Sequence, residues 1–536
     1  MTIPPHSQLL IGQLLMAPAG RNPDQTIHDG EGSVHTYRQF HARIGQLAAA
    51  LTRMGLDRGA TVAVMDWDTP RYLECFFAIP MIGSTLHTVN IRLSPEQVLY
   101  TINHAEDDAI LCHADFLPLL LPLLSRIKRP ARLIVLTDGP APLPEGFDGE
   151  YEALLATEAP DFTFPDLAED TRATLFYTTG TTGDPKGVSY SHRQLVLHTL
   201  AIAAGLGTVP GKGGINRDDV YMPITPLFHV HGWGFPFIAT FLGLKQIYPG
   251  RYQPARLLSL IAEHKVTFSH CVPTILSMLL SAPEAATTDL SRWKVLIGGS
   301  ALSDSMARQA RRHGIDIHAA YGMSETCPFV TVADMVASQS NDDITTRTAA
   351  GRAAPLVEVR VVDPDMRDVP HDARTTGEVI ARAPWLTAGY IENPEGSADL
   401  WRDGWLHTGD VGHMSPDGTL RITDRLKDVI KSGGEWVSSL TLENLASMVL
   451  GVREVAAVGV PDDRWGERPV LVVVLEGAEP VENAIMVRIA AAIATGDLPK
   501  WAAPDRICAV AQLPRTSVGK VDKKLIRQML AKGEIT

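Results

Sequence analysis

The sequence predicts an α/β protein. It would have a large N-terminal domain of helix-covered, mostly parallel sheets and a small α+β C-terminal domain. Three observations carry that prediction. Over roughly the first four hundred residues, apolar runs alternate with amphipathic runs. Glycine-rich turns close many of the apolar runs. Near residue 424 the pattern gives way to a compact stretch of helix, strand, strand and helix. A chain of 536 residues is also too long for one core, so at least two domains are expected.

Taken in order, MTIPPHSQLLIGQLLMAPAG (1–20) lacks a basic leading region and reads as a short helix rather than a secretory signal. TVAVMDWD (61–68) reads as a buried strand and TPRYLECFFAIPMIG (69–83) as a helix. SPEQVLYTINHAE (94–106) opens on a serine cap and continues amphipathically, and DAILCHA (108–114) is the next strand. RLIVLTD (132–138), LFYTTG (175–180), KVLIGGS (294–300) and GEVIARAP (377–384) are further strand-then-turn units. Such alternation implies parallel sheets with ligands at the carboxyl ends of the strands. TTRTAAGRAAP (345–355) reads as a surface loop. The boundary falls between Asp424 and Asp428, giving domains 1–426 and 427–536. Beyond it come a helix at TLENLASMVLG (441–451), strands at EVAAVGVPD (454–462) and RPVLVVVLE (468–476), and a helix at VENAIMVRIAAAIATG (481–496).

The formal net charge is -13, which argues against a nucleic-acid or anionic-membrane surface but leaves room for small anions held by local donors. No segment reaches membrane-spanning length, so no membrane insertion is expected. Cys75, Cys112, Cys271, Cys327 and Cys508 are scattered, without metal-ligand spacing. They read as reduced core residues of a cytoplasmic protein. A homodimer is left open.

The densest chemistry lies in YTTGTTGDPKGV (177–188). Gly180, Gly183 and Gly187 allow close backbone approach. Thr178, Thr179, Thr181 and Thr182 offer hydroxyls, successive backbone N–H groups can form an anion nest, and Lys186 adds a point charge. Together they form a polyphosphate cradle that lacks Walker A spacing.

That stretch resembles the signature of the adenylate-forming (AMP-binding) superfamily of acyl-CoA synthetases, peptide-synthetase adenylation domains and firefly-type luciferases. PLFHVHGWG (226–234), VLIGGSAL (295–302), YGMSET (321–326), GWLHTGD (404–410), RLKDVIKSGGEWVSS (425–439) and PRTSVGK (514–520) follow in the family's order. The resemblance implies the adenylate-forming enzyme fold with a mobile small domain. It implies attack of a carboxylate on the α-phosphate of ATP, giving acyl-AMP and pyrophosphate. A thiol, usually coenzyme A, then displaces AMP.

Carried onto this chain, the resemblance makes Lys520 the lysine that bridges carboxylate and α-phosphate, and Glu325 the ligand of Mg²⁺. Thr178 and His231 complete the implied catalytic set. Tyr321 would stack on adenine and Thr326 would bond the α-phosphate, with Ala320, Gly322, Met323 and Ser324 around the nucleotide. Gly299, Ser300 and Ala301 would edge the adenine and the acyl pocket. Asp410 would take the ribose hydroxyls, Arg425 would reach ribose and phosphate, and Ile422 would lie beside them. Many relatives have glycine where this chain has Asp424, so a different local turn is expected. Lys431, Gly433, Gly434 and Glu435 would border the coenzyme, and Lys427 would be the hinge.

For the acid, His231, Trp233, Gly234, Gly298 and Gly299 would border the pocket. His231 would gate it or hold the carboxylate, and His229 would be a packed core residue. Leu227 to Phe237 contains no acidic residue to pair an amine, so an uncharged short- or medium-chain acid fits better than an amino acid. The overall pattern is similar to bacterial 3-methylmercaptopropionate–CoA ligases, which also take short-chain fatty acids. A thioether and a methylene chain are alike in width and polarity. The partners implied are a small carboxylic acid, ATP and coenzyme A, with no nucleic acid. The alternatives are an adenylation domain that loads a carrier protein, a luciferase-like oxygenase and a non-catalytic acyl-nucleotide-binding protein.

Overall fold

The computed structural model describes residues 7–30, 32–129, 131–178, 184–209, 213–334, 343–433, 435–477, 481–496, 498–516 and 520–535. Two large sheets form the body of the N-terminal part. In the seven-stranded sheet, Thr61–Met65 lies between Ala109–His113 and Thr85–Thr88, all parallel. All five residues of Thr61–Met65 are buried, as a strand covered on both faces requires. Its helix, Pro70–Met81, starts on a Thr69 cap with Pro70 at the first turn, where the missing N–H costs nothing. The helix Pro95–Ala105 has a full capping box from Ser94 and Gln97.

The nine-stranded sheet has a parallel centre that includes Phe268–Cys271, Lys294–Ile297 and Asp316–Gly322. Both sheets carry antiparallel edges. In the first, Arg172–Thr178 turns back as Lys186–Ser191, with Thr178 opposite Lys186. In the second, Asp316–Gly322 pairs antiparallel with Phe329–Val332.

A third, five-stranded sheet departs from the expected alternation. GEVIARAP begins the strand Gly377–Arg382, which pairs antiparallel with Glu358–Val362 and Trp405–Met414. Between Gly377–Arg382 and Trp405–Met414 lie the seven-residue helix Pro394–Leu400 and the short strand Trp401–Arg402, which pairs antiparallel with Trp405–Met414. TTRTAAGRAAP is also not a simple loop. It contributes to the helix Ile344–Thr348, and Arg347 is buried on Asp316 at 2.6 Å.

The third sheet ends with Leu420–Arg425, and the fourth opens with Ile430–Ser432. This fourth sheet is mostly antiparallel. Its long hairpin, Val452–Asp462 with Gly466–Leu475, is flanked by the helices Ser439–Ser447, Glu482–Thr495 and Lys523–Ala531. The module docks on the large part through polar contacts. Arg515 donates to the Thr274 hydroxyl at 2.6 Å, and the Asp304 N–H donates to Asn444 at 3.2 Å.

Candidate active site

The loop after Asp316–Gly322 is held in one shape. A Cβ on Gly322 would stand 1.7 Å from the Pro328 carbonyl oxygen, so only glycine fits. The Tyr190 hydroxyl donates to the Ser324 carbonyl at 2.6 Å, and the Trp385 indole donates to the Thr326 carbonyl at 3.1 Å. Thr326 itself is buried, and its hydroxyl bonds within the loop to Met323 and Pro328.

Glu325 is 6% exposed, and its Oε1 accepts from the Tyr390 hydroxyl at 2.6 Å. Tyr390 also lies under Lys186, whose Nζ is 4.5 Å from the ring centroid. The Tyr390 segment reaches this place because the Ile391 N–H bonds the Gly187 carbonyl at 2.9 Å. No cluster of three metal-ligating side chains occurs among the described residues. A hard cation that takes one carboxylate and otherwise phosphate oxygen and water fits Glu325. Thr178 and Lys186 bracket the threonine-glycine turn. Thr179, Gly180, Thr181, Thr182 and Gly183 lie outside the described residues, as does Gly434.

Across the third sheet, Asp410 and Arg425 are register partners, with Nε 3.1 Å from Oδ1. The other Asp410 oxygen accepts from the Tyr321 hydroxyl at 2.7 Å. Asp410 is buried, while Tyr321 and Ile422 pack half-buried on one apolar cluster. Asp410 holds the Arg425 guanidinium above its usual range. Asp424, in the glycine-substituted position, accepts from the Ser439 N–H and hydroxyl at the start of the helix Ser439–Ser447.

Lys520 comes from the small module into a narrow cavity. His229, Val230, Trp233, Gly298, Gly299, Ala320 and Phe329 line it, with Gly322, Met323, Ser324 and Pro328 on the nucleotide-motif side. The cavity holds about 30 Å³ of water-accessible space. Gly299 has φ of +74°, and a Cβ there would meet the Lys520 Cε at 3.3 Å. A Cβ on Gly298 would touch the Trp233 indole at 3.1 Å. Burial pushes Lys520 down to about 8, with Arg425 adding to the shift and Asp410 and Glu325 opposing it. Ser300 and Ala301 follow as exposed residues outside the cavity lining.

The two histidines are placed opposite to expectation. His229 lines the cavity, whereas His231 is fully buried among the rings of Phe76, Phe176, Tyr190 and Phe237. Neither nitrogen of His231 has a hydrogen-bond partner among the described residues. Burial holds His231 neutral, down to about 3, and it does not line this cavity. Gly234 faces the His198 ring instead of the cavity. Sequence reasoning missed Tyr390, whose only signal was an aromatic residue after a glycine.

Lys427 is an exposed residue of the turn between Arg425 and Ile430. Lys431 and Glu435 are exposed, and Gly433 has φ of +64° against the Trp465 ring. None of these lines the Lys520 cavity.

The family model described as AMP-binding enzyme matches residues 16–391, and that of the AMP-binding enzyme C-terminal domain matches 441–520. A long-chain-fatty-acid–CoA ligase of Thermus thermophilus is 38% identical, covering 94% of this chain and 91% of the relative. A 3-methylmercaptopropionyl-CoA ligase of Ruegeria pomeroyi is 37% identical over 90% and 89%. The fold matches a crystal structure of an anthranilate CoA ligase with anthranoyl-AMP at a TM-score of 0.87 and 21% identity, over 98% of both chains. The motif order, the cavity and these matches together make the chain a member of the AMP-binding enzyme family, among its AMP-forming acid–CoA ligases.

Proposed function

We propose that the protein joins an uncharged short- or medium-chain carboxylic acid to coenzyme A, with 3-methylmercaptopropionate or a fatty acid of similar length as substrate. ATP, Mg²⁺ and coenzyme A are the co-reactants of such ligases. The observation that carries the reading is Lys520, the one charged side chain in the cavity lining among the described residues. Its ammonium can sit between an acid's carboxylate and the α-phosphate, where negative charge is shared in the transfer. Carboxylate oxygen bonds to the α-phosphorus, and the bond to pyrophosphate breaks. The thiol of coenzyme A then attacks the acyl carbon, and AMP leaves.

Trp233 is buried against Gly298, His270 and Phe329 and gives the cavity an apolar wall, which supports an uncharged acyl group. Magnesium, when bound, screens the phosphate charge, and Glu325 would be its protein ligand. Asp410 and Arg425 would position the ribose, and the segment Thr178–Lys186 the phosphates. The second step needs the cavity mouth that Lys520 occupies, so the small module would swing about Lys427 and bring Gly433 toward the coenzyme. Five buried thiols support a reducing compartment, the cytoplasm.

The test is a panel of acids scored for pyrophosphate release with ATP and Mg²⁺, and for AMP release with coenzyme A. The panel spans 3-methylmercaptopropionate, butyrate, hexanoate, palmitate and an amino acid. The reading expects the short uncharged acids to lead. Turnover confined to palmitate or the amino acid would overturn it.

A further inference from the structure

The cavity residues His229 and Trp233 stand on an unusual piece of backbone. Five consecutive residues, Val230 to Gly234, have φ between 48° and 73°. Three of them, Val230, His231 and Trp233, are not glycine. A left-handed turn costs about 1–2 kcal/mol per non-glycine residue, so the surroundings must impose it.

The restraint comes from the other large sheet. Asp68, just beyond the end of Thr61–Met65, accepts from the Leu227 N–H at 2.9 Å through Oδ1. Its Oδ2 accepts from the Tyr252 hydroxyl at 2.5 Å, and its carbonyl from the Gly250 N–H at 2.9 Å. One residue on, the Thr88 hydroxyl donates to the Phe228 carbonyl at 3.0 Å. Leu227 and Phe228, the two residues before His229, are thus each tied through one backbone group to residues at or just past strand ends, outside the cavity lining. Asp68 is 4% exposed, and burial pushes its carboxyl up to about 7. A buried carboxyl is costly to retain without a task for both oxygens.

We propose that Asp68 is a positioning residue for acid binding, fixing the entry of the left-handed turn that aims His229 and Trp233 into the cavity. The inference rests on the acid-activation reading above. Asp68 touches no substrate and acts through Leu227. Asparagine keeps an acceptor for the Leu227 N–H and an amide group for the Tyr252 oxygen, so it should substitute. Alanine leaves the buried N–H unpaired.

The experiment compares Asp68→Ala, Asp68→Asn and Thr88→Val in the full-length protein. With Asp68→Ala, the KM for the acid should rise about tenfold, while the KM for ATP stays within about twofold. Asp68→Asn should restore both values, and Thr88→Val should shift the acid KM in the same direction but less. Hydrogen exchange of the 226–234 backbone should quicken in Asp68→Ala and not in Asp68→Asn. Equal shifts in the acid and ATP values, no rescue by asparagine, or unchanged exchange would each overturn the proposal. If Asp68→Ala does not fold, Thr88→Val and Asp68→Asn decide it by the same readouts. A wild-type protein that releases no pyrophosphate with any acid sinks the ligase reading, whereas hydrogen exchange still decides whether Asp68 holds the turn.

Discussion

Asp410 and Arg425 face each other across adjacent antiparallel strands, with the guanidinium Nε 3.1 Å from one carboxylate oxygen and the Tyr321 hydroxyl 2.7 Å from the other. One carboxylate thus joins the nucleotide-motif tyrosine to the last strand before the small module. Asp410→Ala removes both bonds and leaves the arginine unpaired. The KM for ATP should rise at least about tenfold with the acid KM little changed, as initial-rate kinetics would read. Equal change in both constants would refute the assignment to ribose.

Lys520→Ala should slow acyl-AMP formation by about a hundred- to a thousandfold. Thioester formation from supplied acyl-AMP should survive. Gly433→Val, which crowds the Trp465 ring from a left-handed backbone, should do the reverse. Separate assays of the two half-reactions check the division.

Acyl-AMP formation should also fall as pH rises through about 8. The Lys520 ammonium is the active form, and burial has lowered its titration from 10.5. Stability carries the opposite sign: the cost of the buried ammonium is fully present below about pH 8 and fades as pH rises toward 10.5. The folded protein binds this proton less tightly than the unfolded chain does, so Lys520→Met should raise the thermal midpoint below pH 8. A pH profile of pyrophosphate release with no alkaline limb would contradict the first expectation.

His229→Ala should raise the acid KM with a small change in melting temperature. His231→Ala opens a void among four aromatic rings and should cost about 2–4 kcal/mol. Its signature is a lower thermal midpoint with the remaining folded enzyme still active. Kinetics and melting curves on the pair separate the roles.

Glu325→Gln should raise the Mg²⁺ concentration for half-maximal rate at least about tenfold. Magnesium titration at saturating ATP reads it.

Much of the architecture was legible because buried parallel strands are short apolar runs closed by turns. Thr61–Met65 and Lys294–Ile297 are of this kind. The third sheet was not, because WLHTGDVGHM mixes His, Thr and Asp into a ten-residue strand and looks like a motif alone. The histidine pair could not be sorted from sequence. The Val230–Gly234 turn is left-handed, so neither the strand period nor the helical one says which ring faces the cavity. Arg347 and Tyr390 were opaque for another reason. Their partners, Asp316 and Glu325, lie 31 and 65 residues away.

The Tyr390 phenol stands between a cation and an anion, its ring under Lys186 and its hydroxyl on Glu325. Without that spacer, the two opposite charges would be free to draw together and pair. Held apart, each keeps its attraction for an incoming guest: the ammonium for an anion, the carboxylate for a metal. The pair is in this sense poised like an open electrical contact, which a nucleotide carrying its metal would close.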